Sequence, residues 1–453
     1  MKGIVMYRLS ACTAFLCSFA LCHAIANADT DTNGEQLERS PSRSEHEVPN
    51  TGVANRLLHI SSIIGTTRVI ALFPNDKNAY LVRGTSYATL GELQRAVKDL
   101  TRAIELDPKC KQSYVNRGWC YGCLGEFQKA IDDFSRTIEI DPICKEGHGG
   151  RGWAYGCLGK YDEAFDAFTR AIEIDPQYKE IYTCRAFLHV AAAQFDKAIE
   201  DCTRAITIDP NYKEAYVNRG EAYRHLKAFE EAIADCVHAI KIDPKCKEAY
   251  ACRALVYEDM GKREEAVEDC TRVIELDPRC MDAYVIRGGL YARLGRFESA
   301  IDDCTRAIEL DPTQKELYIN RGIVYAQLDS FEEAIADCTH AIKIDPNCKD
   351  AYTCRATVYE ALGKSKEAVE DYTRILEIDP TCKQAYLSRG RSYEYLKEFD
   401  KAFEDYTQAI TIDPKCTEAH INRGVVYREL GKLEEAIASF TRAIELDPTC
   451  RDA

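Results

Sequence analysis

The chain contains 453 residues, 46% of them hydrophobic, and has a formal net charge of −15 at pH 7. This acidic balance argues against nucleic acid as a partner, because affinity for DNA or RNA depends largely on neutralising phosphates with basic side chains. The sequence has no basic patch interleaved with aromatic residues that would offset this negative charge. A chain of this length usually folds as several globular domains, but the repeat described below indicates one elongated array.

The first 28 residues have the pattern of a secretory signal. The basic residues Lys2 and Arg8 come before an apolar run over residues 9–22. The small residues Ala26 and Ala28 follow the run and match a signal-peptide cleavage site. We therefore predict cleavage after Ala28 and export to the periplasm, the cell envelope or the medium. The apolar run is short for a membrane span, and an uncleaved signal that anchors the chain in a membrane is the alternative.

Two further segments precede the repeats. Residues 29–52 are polar, contain two prolines and have few bulky apolar residues, which predicts a disordered leader. Residues 67–74, TRVIALFP, match the second half of the repeat without its first half. We predict that residues 53–76 form a degenerate helix that covers the exposed face of the first complete repeat, since solenoids need such caps.

The prolines define the repeat. From Pro74 onward, every proline lies on a spacing of 34 residues. A fixed period of this size is typical of a solenoid built from stacked units. With Lys77 as position 1, eleven consecutive units cover residues 77–450, and position 32 of each unit is proline. The prolines are Pro74, Pro108, Pro142, Pro176, Pro210, Pro244, Pro278, Pro312, Pro346, Pro380, Pro414 and Pro448.

Each unit predicts two short helices joined by a turn. Positions 4, 8, 11 and 15 form a stripe at helical spacing, and positions 20, 24, 27 and 28 form a second. Helices this short must bury their stripes against a partner. Gly or Ala at position 8 and Ala at position 20 let the two backbones approach, while the residue at position 24 fills the seam. We expect the Asp-Pro pair at positions 31 and 32 to begin the next unit, with Asp as N-cap and Pro as the first helical residue.

Residues 114–142, YVNRGWCYGCLGEFQKAIDDFSRTIEIDP, and the corresponding stretches of the other units resemble the tetratricopeptide repeat. The resemblance covers residues 77–450 and implies an all-α, right-handed α-solenoid superhelix of eleven helix-turn-helix repeats. It also implies a concave groove, lined by the first helix of each repeat, in which members of the family hold segments of partner proteins. Arginine at position 7, where the family more often has leucine, is a common variant.

The groove positions that the resemblance implies change character along the array. In repeats 2 to 4 they are apolar, and large aromatic side chains beside glycines would form a pocket for a peptide or helix anchor. Packing of the same rings between adjacent helices is the alternative, which the sequence leaves open. The candidate groove residues are Trp119, Gly122, Cys123, Trp153, Gly156, Cys157, Phe187 and Val190. Charged residues follow further along, among them Arg391, Glu394, Arg428 and Glu429, together with Tyr395.

Position 7 is arginine in all eleven units and lies next to a core-facing stripe. An unpaired buried charge is very costly, so these arginines need counter-charges. Position 23 is aspartate in nine units and is replaced only by Ala167 and Ser439. We therefore predict a ladder of Arg–Asp pairs that joins the two helices of each repeat and is structural rather than catalytic.

The cysteines follow the repeat as well. Of 22 cysteines, three precede Ala28, and most others occupy positions 24 and 34. Equivalent cysteines of adjacent units should lie about 8–10 Å apart, beyond the ~7 Å Cα limit for a disulfide, so we interpret position 24 as small buried filler. Cys120, Cys123 and Cys157 offer three thiols to one groove without a fourth zinc ligand. We therefore predict neither a metal nor another cofactor.

The sequence predicts a non-catalytic scaffold that binds protein or peptide ligands in a groove. No nucleophile–base pairing, phosphate-binding loop or pair of carboxylates stands outside the repeat pattern. The alternative is a self-associating structural protein of the cell envelope, because no solvating helix follows the last Asp-Pro and the C-terminal repeat is expected to be uncapped. Beyond a signal sequence, we expect no interaction with membranes.

Overall fold

The computed structural model describes residues 51–448, so the predicted signal peptide and nearly all of the predicted leader lie outside the described residues. Those residues form 23 α-helices and, within that range, no β-strand. We number the helices α1–α23 in chain order. The fold is an all-α solenoid, as predicted, and its contacts divide the chain into two compact units, with the boundary in the sequence after Pro244.

The first unit contains α1 and the helix pairs of repeats 1 to 5. Its helices are α1 Thr51–Leu72, α2 Lys77–Thr89, α3 Leu93–Leu106, α4 Lys111–Cys123, α5 Phe127–Ile140, α6 Lys145–Cys157, α7 Tyr161–Ile174, α8 Lys179–Ala191, α9 Phe195–Ile208, α10 Lys213–His225 and α11 Phe229–Ile242.

The second unit contains the helix pairs of repeats 6 to 11. Its helices are α12 Lys247–Asp259, α13 Arg263–Leu276, α14 Met281–Arg293, α15 Phe297–Leu310, α16 Lys315–Gln327, α17 Phe331–Ile344, α18 Lys349–Ala361, α19 Ser365–Ile378, α20 Lys383–Tyr395, α21 Phe399–Ile412, α22 Thr417–Glu429 and α23 Leu433–Leu446.

Inside each unit, every first helix of a repeat packs on the second helix of its own repeat and on the second helix of the preceding one. The small residue at position 8 makes the first of these contacts possible. A Cβ atom added to Gly118 would lie 3.0 Å from the ring of Phe134, and one added to Gly220 would lie 3.3 Å from the carbonyl oxygen of Ala232. The predicted close approach of positions 8, 20 and 24 is therefore confirmed.

The turn between the two helices corrects one prediction. The first helix ends at position 13, so position 15 belongs to the turn and not to the helical stripe. Its backbone has a positive φ in all eleven repeats, a region that glycine enters without strain. Seven repeats have glycine there, for example Gly91 with φ 80°. The other four have Ala193, Lys227, Asp329 and Lys397, with φ of 55–61°.

The Asp-Pro pair also acts differently from the prediction. The aspartate is the extended residue that ends the second helix, and the next helix begins four residues later, as from Asp107 to Lys111. One carboxylate oxygen of Asp107 accepts the backbone N–H of Lys109 at 3.0 Å, and the other accepts Lys77 Nζ. Because this carboxylate closes the proline turn, it is not available to cap the next helix. The N-cap of that helix is Cys110, which makes no side-chain cap bond.

Helix α1 packs on α2 in the way that a second helix of a repeat packs on its successor. Thr67 accepts a hydrogen bond from Arg83 Nη1 at 3.2 Å, and Ser86 donates to Ser62 Oγ at 3.2 Å. The helix starts at Thr51, two residues before the predicted boundary, and ends at Leu72. Within residues 51–448, no helix is long and apolar enough to cross a membrane.

Candidate functional site

The tryptophans of the predicted groove lie in the core. Trp119 and Trp153 are 6% and 4% exposed, and their ring centroids are 5.0 Å apart. Phe134 meets Trp119 edge-on at 5.2 Å, and Phe127 meets Trp153 at 5.9 Å. These first helices are therefore joined by an aromatic cluster that fills the seam between repeats 2 and 3.

The glycines beside them make room for large side chains. A Cβ atom at Gly122 would overlap the ring of Trp153, and one at Gly156 would lie 3.1 Å from Leu188. Gly149 lies on α6, as Gly156 does, and a Cβ atom added there would lie 2.6 Å from Ile181. Small residues at these positions thus compensate for neighbouring large ones, as close packing requires.

These contacts favour the alternative that the sequence leaves open. The rings of Trp119 and Trp153 pack between adjacent helices, and the Trp153 ring occupies the space beside Gly122. The remaining candidates are partly buried: Phe187 packs against the same cluster, Val190 against the cluster of the next repeat, and Cys123 and Cys157 are partly exposed. Binding of a ligand near these four residues stays a prediction.

A metal site in this region finds no support in the described structure. Among residues 51–448, no group of three or more His, Cys, Asp and Glu side chains could hold a metal ion. Burial raises the pKa of the Cys120 and Cys157 thiols to about 12.

The predicted Arg–Asp ladder is confirmed in nine repeats. In each of them Nε and Nη2 of the arginine donate to the two carboxylate oxygens of the aspartate, at 2.6–2.9 Å. Such bidentate, charge-assisted pairs are strong and direction-specific. The pairs are Arg83–Asp99, Arg117–Asp133, Arg185–Asp201, Arg219–Asp235, Arg253–Asp269, Arg287–Asp303, Arg321–Asp337, Arg355–Asp371 and Arg389–Asp405.

The same guanidinium groups join neighbouring repeats. Arg117 Nη1 donates to Thr101 Oγ1 of the preceding second helix at 3.0 Å, and its guanidinium carbon lies 5.7 Å from the ring centroids of Tyr114 and Tyr121. Burial lowers the pKa of Arg117, but the hydrogen bonds and the charge attraction to Asp133 together with the neighbouring tyrosines outweigh it, so the pKa is raised overall. The ladder is therefore part of the core and is not exposed for catalysis.

Repeats 3 and 11 have no aspartate at position 23, so their arginines at position 7 lack this counter-charge. Arg151 and Arg423 each have a buried Nε with no hydrogen-bond partner in the described structure, because position 23 is Ala167 or Ser439. Both repeats also have histidine instead of tyrosine at position 4. Nε2 of His148 lies 3.0 Å from the Pro142 carbonyl oxygen, where the tyrosine hydroxyl of other repeats binds. Burial lowers the pKa of both histidines.

The first helices of the last two repeats expose an aromatic side chain together with charged ones. Tyr395, at the end of α20, is 81% exposed. Arg391 Nη1 lies 3.8 Å from a carboxylate oxygen of Glu418, and both side chains are about half exposed. On α22, Arg428 Nη2 lies 3.2 Å from Glu429, again with both side chains about half exposed. We call these residues, Arg391, Tyr395, Glu418, Arg428 and Glu429, the α20–α22 face.

One predicted member of this surface has an internal partner. Glu394 accepts a hydrogen bond from the buried Tyr406 hydroxyl, and burial raises the pKa of its carboxyl above the usual range. Glu394 therefore belongs to the packing of repeat 10. The α20–α22 face is the part of the predicted groove that offers an aromatic side chain and both charge signs to solvent.

Stacked helix pairs of constant length define the class of α-solenoid repeat proteins. The chain belongs to the tetratricopeptide-repeat family, whose repeat matches nearly every unit of the array. The matched ranges are 78–110, 112–144, 146–178, 214–246, 253–315, 316–348, 350–382, 384–416 and 417–450.

Solved structures with similarity to the chain include three helical proteins. MamA is 24% identical, with 36% of this chain and 94% of MamA covered and a TM-score of 0.34. Yeast Tom70 is 17% identical over 82% of this chain and 92% of its own, with a TM-score of 0.39. The APC/C hetero-tetramer Cut9–Hcn1 is 14% identical over 88% and 93%, with a TM-score of 0.38. No curated protein matches the chain.

Proposed function

We propose that this protein is a non-catalytic scaffold that binds segments of partner proteins on the face formed by its first helices. The observation that carries the proposal is the exposure of Tyr395 on α20, on the same helices that expose the Arg391–Glu418 and Arg428–Glu429 ion pairs. Tyrosine and arginine are among the residues that contribute most binding energy at protein interfaces. Exposed arginine and glutamate side chains would form the polar rim of such an interface and help to orient a partner.

The rest of the repeat supports this choice of surface. Positions 7 and 23 are paired with each other in nine repeats, and the aromatic rings of repeats 2 and 3 are buried. These residues are used for packing, so a partner must be recognised by side chains that vary between repeats. We place the first binding region on the α20–α22 face for this reason.

Affinity capture with purified protein tests the proposal. We expect the full chain to retain a partner from an extract of its native compartment, and Tyr395→Ala with Arg428→Ala to lose it by at least about tenfold, since interface anchors contribute about 2 kcal/mol or more. Phe73→Ala is the matched control, because Phe73 is also an exposed ring, at 64%, but lies at the end of α1. Equal capture by the wild type and the double variant, both folded, contradicts the proposed site.

We also propose that the chain is exported. The support is the basic, apolar and small-residue pattern of residues 1–28. N-terminal sequencing of the protein from its native cells tests this, and we expect the mature chain to begin at Asp29. Recovery of an intact N terminus in the membrane fraction would favour an uncleaved anchor, and an intact N terminus in the soluble cell extract would contradict export.

Self-association is the second candidate function. Leu433, Ile437 and Ile444 lie along one side of α23 and are 62%, 65% and 46% exposed. In the preceding repeat the equivalent residues, Phe399, Phe403 and Ile410, are partly buried and pack against the core. The exposed stripe of α23 therefore offers an apolar surface of the kind that another helix covers elsewhere in the array.

A further inference from the structure

Two cysteine thiols meet at the junction of repeats 8 and 9. Cys338 lies on α17, the second helix of repeat 8, and Cys354 lies on α18, the first helix of repeat 9. Their Sγ atoms are 2.7 Å apart, and the residues are 0% and 7% exposed. Both belong to one hydrophobic cluster with Tyr318 and Ala351.

The distance between the two sulfur atoms is only a little longer than a covalent bond. Sulfur atoms in a disulfide are about 2.05 Å apart, so bonding requires these two sulfurs to approach by less than about 1 Å. The two helices already pack against each other.

Of the other cysteines at position 24, Cys236 is followed 16 positions later by Cys252, whereas Cys270 and Cys304 have no cysteine at that spacing. The residue 16 positions after Cys304 is Asn320, and the residue 16 positions after Cys270 is Ile286. Because the second helix of one repeat packs on the first helix of the next, a 16-residue spacing brings positions 24 and 6 together. Cys304 therefore serves as a matched control with the same place in its own repeat.

We propose that Cys338 and Cys354 form a disulfide that links repeats 8 and 9. The oxidant is a disulfide-containing thiol reagent or enzyme. One cysteine thiolate attacks the oxidant's S–S bond, forming a mixed disulfide and releasing one thiol of the oxidant. The second cysteine thiolate then attacks the protein sulfur of that mixed disulfide and releases the second thiol. Two electrons and two protons pass from the cysteines to the oxidant.

The cross-link holds the α17–α18 junction closed. Because both sulfurs are buried, the oxidant gains access only when this junction opens locally. Once formed, the bond closes a short loop and removes conformational entropy from the unfolded chain. Protein in which this pair is oxidised is therefore more resistant to unfolding than protein in which it is reduced.

Peptide mapping of the purified full chain tests the bond directly. The protein is equilibrated with an excess of glutathione disulfide or with reduced glutathione, free thiols are alkylated in denaturant, and the unreduced chain is digested with trypsin. We expect residues 322–343 to be joined to residues 350–355 in most oxidised molecules and in none of the reduced ones. Recovery of both peptides fully alkylated overturns the proposal, as does a link from residues 350–355 to the Cys348 peptide, residues 344–349, in its place.

Thermal unfolding of variants provides an independent readout. All proteins in this test carry Cys252→Ala, which removes the second cysteine pair at 16-residue spacing, Cys236 and Cys252. We expect the melting temperature to be higher in glutathione disulfide than in reduced glutathione for this parent and for its Cys304→Ala variant. Adding Cys338→Ala or Cys354→Ala should abolish that increase. A redox-dependent increase of parental size that persists in both of these variants contradicts the assigned pair.

Discussion

At the scale of single residues, the arginine at position 7 shows how one side chain can serve both helices of a repeat. In nine repeats its charge is matched by an aspartate that is almost fully buried. In repeats 3 and 11 the aspartate is absent, and Nε of Arg151 or Arg423 has no partner in the described structure. A buried donor without an acceptor costs about 1–3 kcal/mol, so these two repeats carry a local loss of stability.

Restoring the aspartate should recover part of this loss. We predict that Ala167→Asp stabilises the protein by about 1 kcal/mol, since a charge-assisted hydrogen bond contributes about 1.5–3 kcal/mol and burial of the carboxylate offsets part of that. The midpoint of urea denaturation measures the change. Ala167→Asn, of similar size and without charge, is the control and should gain less.

A double-mutant cycle identifies the cause. In an Arg151→Gln background, Ala167→Asp should no longer stabilise and should instead destabilise, because a buried carboxylate then lacks its counter-charge. A gain of the same size in both backgrounds would rule out the restored pair as the explanation.

At the scale of secondary-structure elements, the turn between the two helices of a repeat requires a positive φ, but not every repeat has glycine at that position. Four repeats place Ala193, Lys227, Asp329 or Lys397 at a positive φ. Non-glycine residues pay about 1–2 kcal/mol for the left-handed region because Cβ approaches the following carbonyl oxygen. Their helix pairs therefore hold a strained turn that packing maintains.

We predict that Lys227→Gly stabilises the protein by about 0.5–1 kcal/mol, as relief of the left-handed strain exceeds the greater entropy of glycine in the unfolded chain. The reciprocal change, Gly261→Lys, should destabilise by a similar amount, since Gly261 has φ 76° and nothing within 4 Å of its missing Cβ. Chemical denaturation measures both. Changes in the free energy of unfolding with the same sign in the two variants would show that the φ angle does not cause them.

The proline turns between repeats contribute a second element, the ion pair between position 1 and the aspartate at position 31. It occurs wherever position 1 is lysine. The pairs are Lys77–Asp107, Lys111–Asp141, Lys145–Asp175, Lys179–Asp209, Lys213–Asp243, Lys247–Asp277, Lys315–Asp345, Lys349–Asp379 and Lys383–Asp413. The hydrogen bond from Lys349 Nζ at 2.7 Å, with help from Thr381, lowers the pKa of Asp379 to about 2.

These pairs predict a loss of stability in acid. A carboxyl group whose folded pKa lies below its unfolded value of about 3.9 stabilises the fold above that pH and loses the effect as pH falls. For Asp379 the window runs from about pH 4 down to about 2. We expect the melting temperature to fall over this range.

Removing one lysine should weaken that dependence. Lys349→Met reproduces the methionine that repeat 7 has at this position, Met281, and should make the acid-induced fall in melting temperature shallower. Lys366→Met, at an exposed position on the neighbouring helix α19, is the control and should leave the slope unchanged. The same slope in Lys349→Met as in the wild type would show that the pair does not set the pKa of Asp379.

At the scale of the whole molecule, the ends of the described array differ from its interior. Helix α1 covers the first repeat on one side and exposes Leu57, Leu58 and Ile64 on the other, while α23 exposes its own apolar stripe. Interior helices bury the corresponding side chains against neighbours. Association through α1 or α23 would therefore bury apolar side chains, in the way that neighbouring helices bury them inside the array.

We predict that Ile437→Glu abolishes concentration-dependent association, if the α23 stripe mediates it, because a charge at its centre would be buried without a partner. Analytical ultracentrifugation over a range of protein concentrations measures the effect. Ile323→Glu is the matched control, since Ile323 is 45% exposed but lies on α16. A wild type that remains monomeric at all concentrations would exclude the self-association candidate.

Much of this architecture is local in sequence and was predictable for that reason. The 34-residue period, the two helices per unit, the close approach at positions 8 and 20 and the Arg–Asp ladder all follow from spacings within one repeat. The lysine partner of the Asp-Pro aspartate was missed in the nine repeats that have it, although Lys at position 1 and Asp at position 31 recur there together and carry the signal.

What the sequence by itself determined is therefore the repeat, its helices and its family, because each is encoded by periodic spacing that every unit repeats. Only the tertiary structure decided which side chains are covered by the next repeat. It buried Trp119 and Trp153 instead of leaving a pocket, left Tyr395 in solvent, and brought Cys338 to Cys354. The physical reason is that burial depends on the shape complementarity of side chains from different repeats, and spacing within one repeat does not encode it.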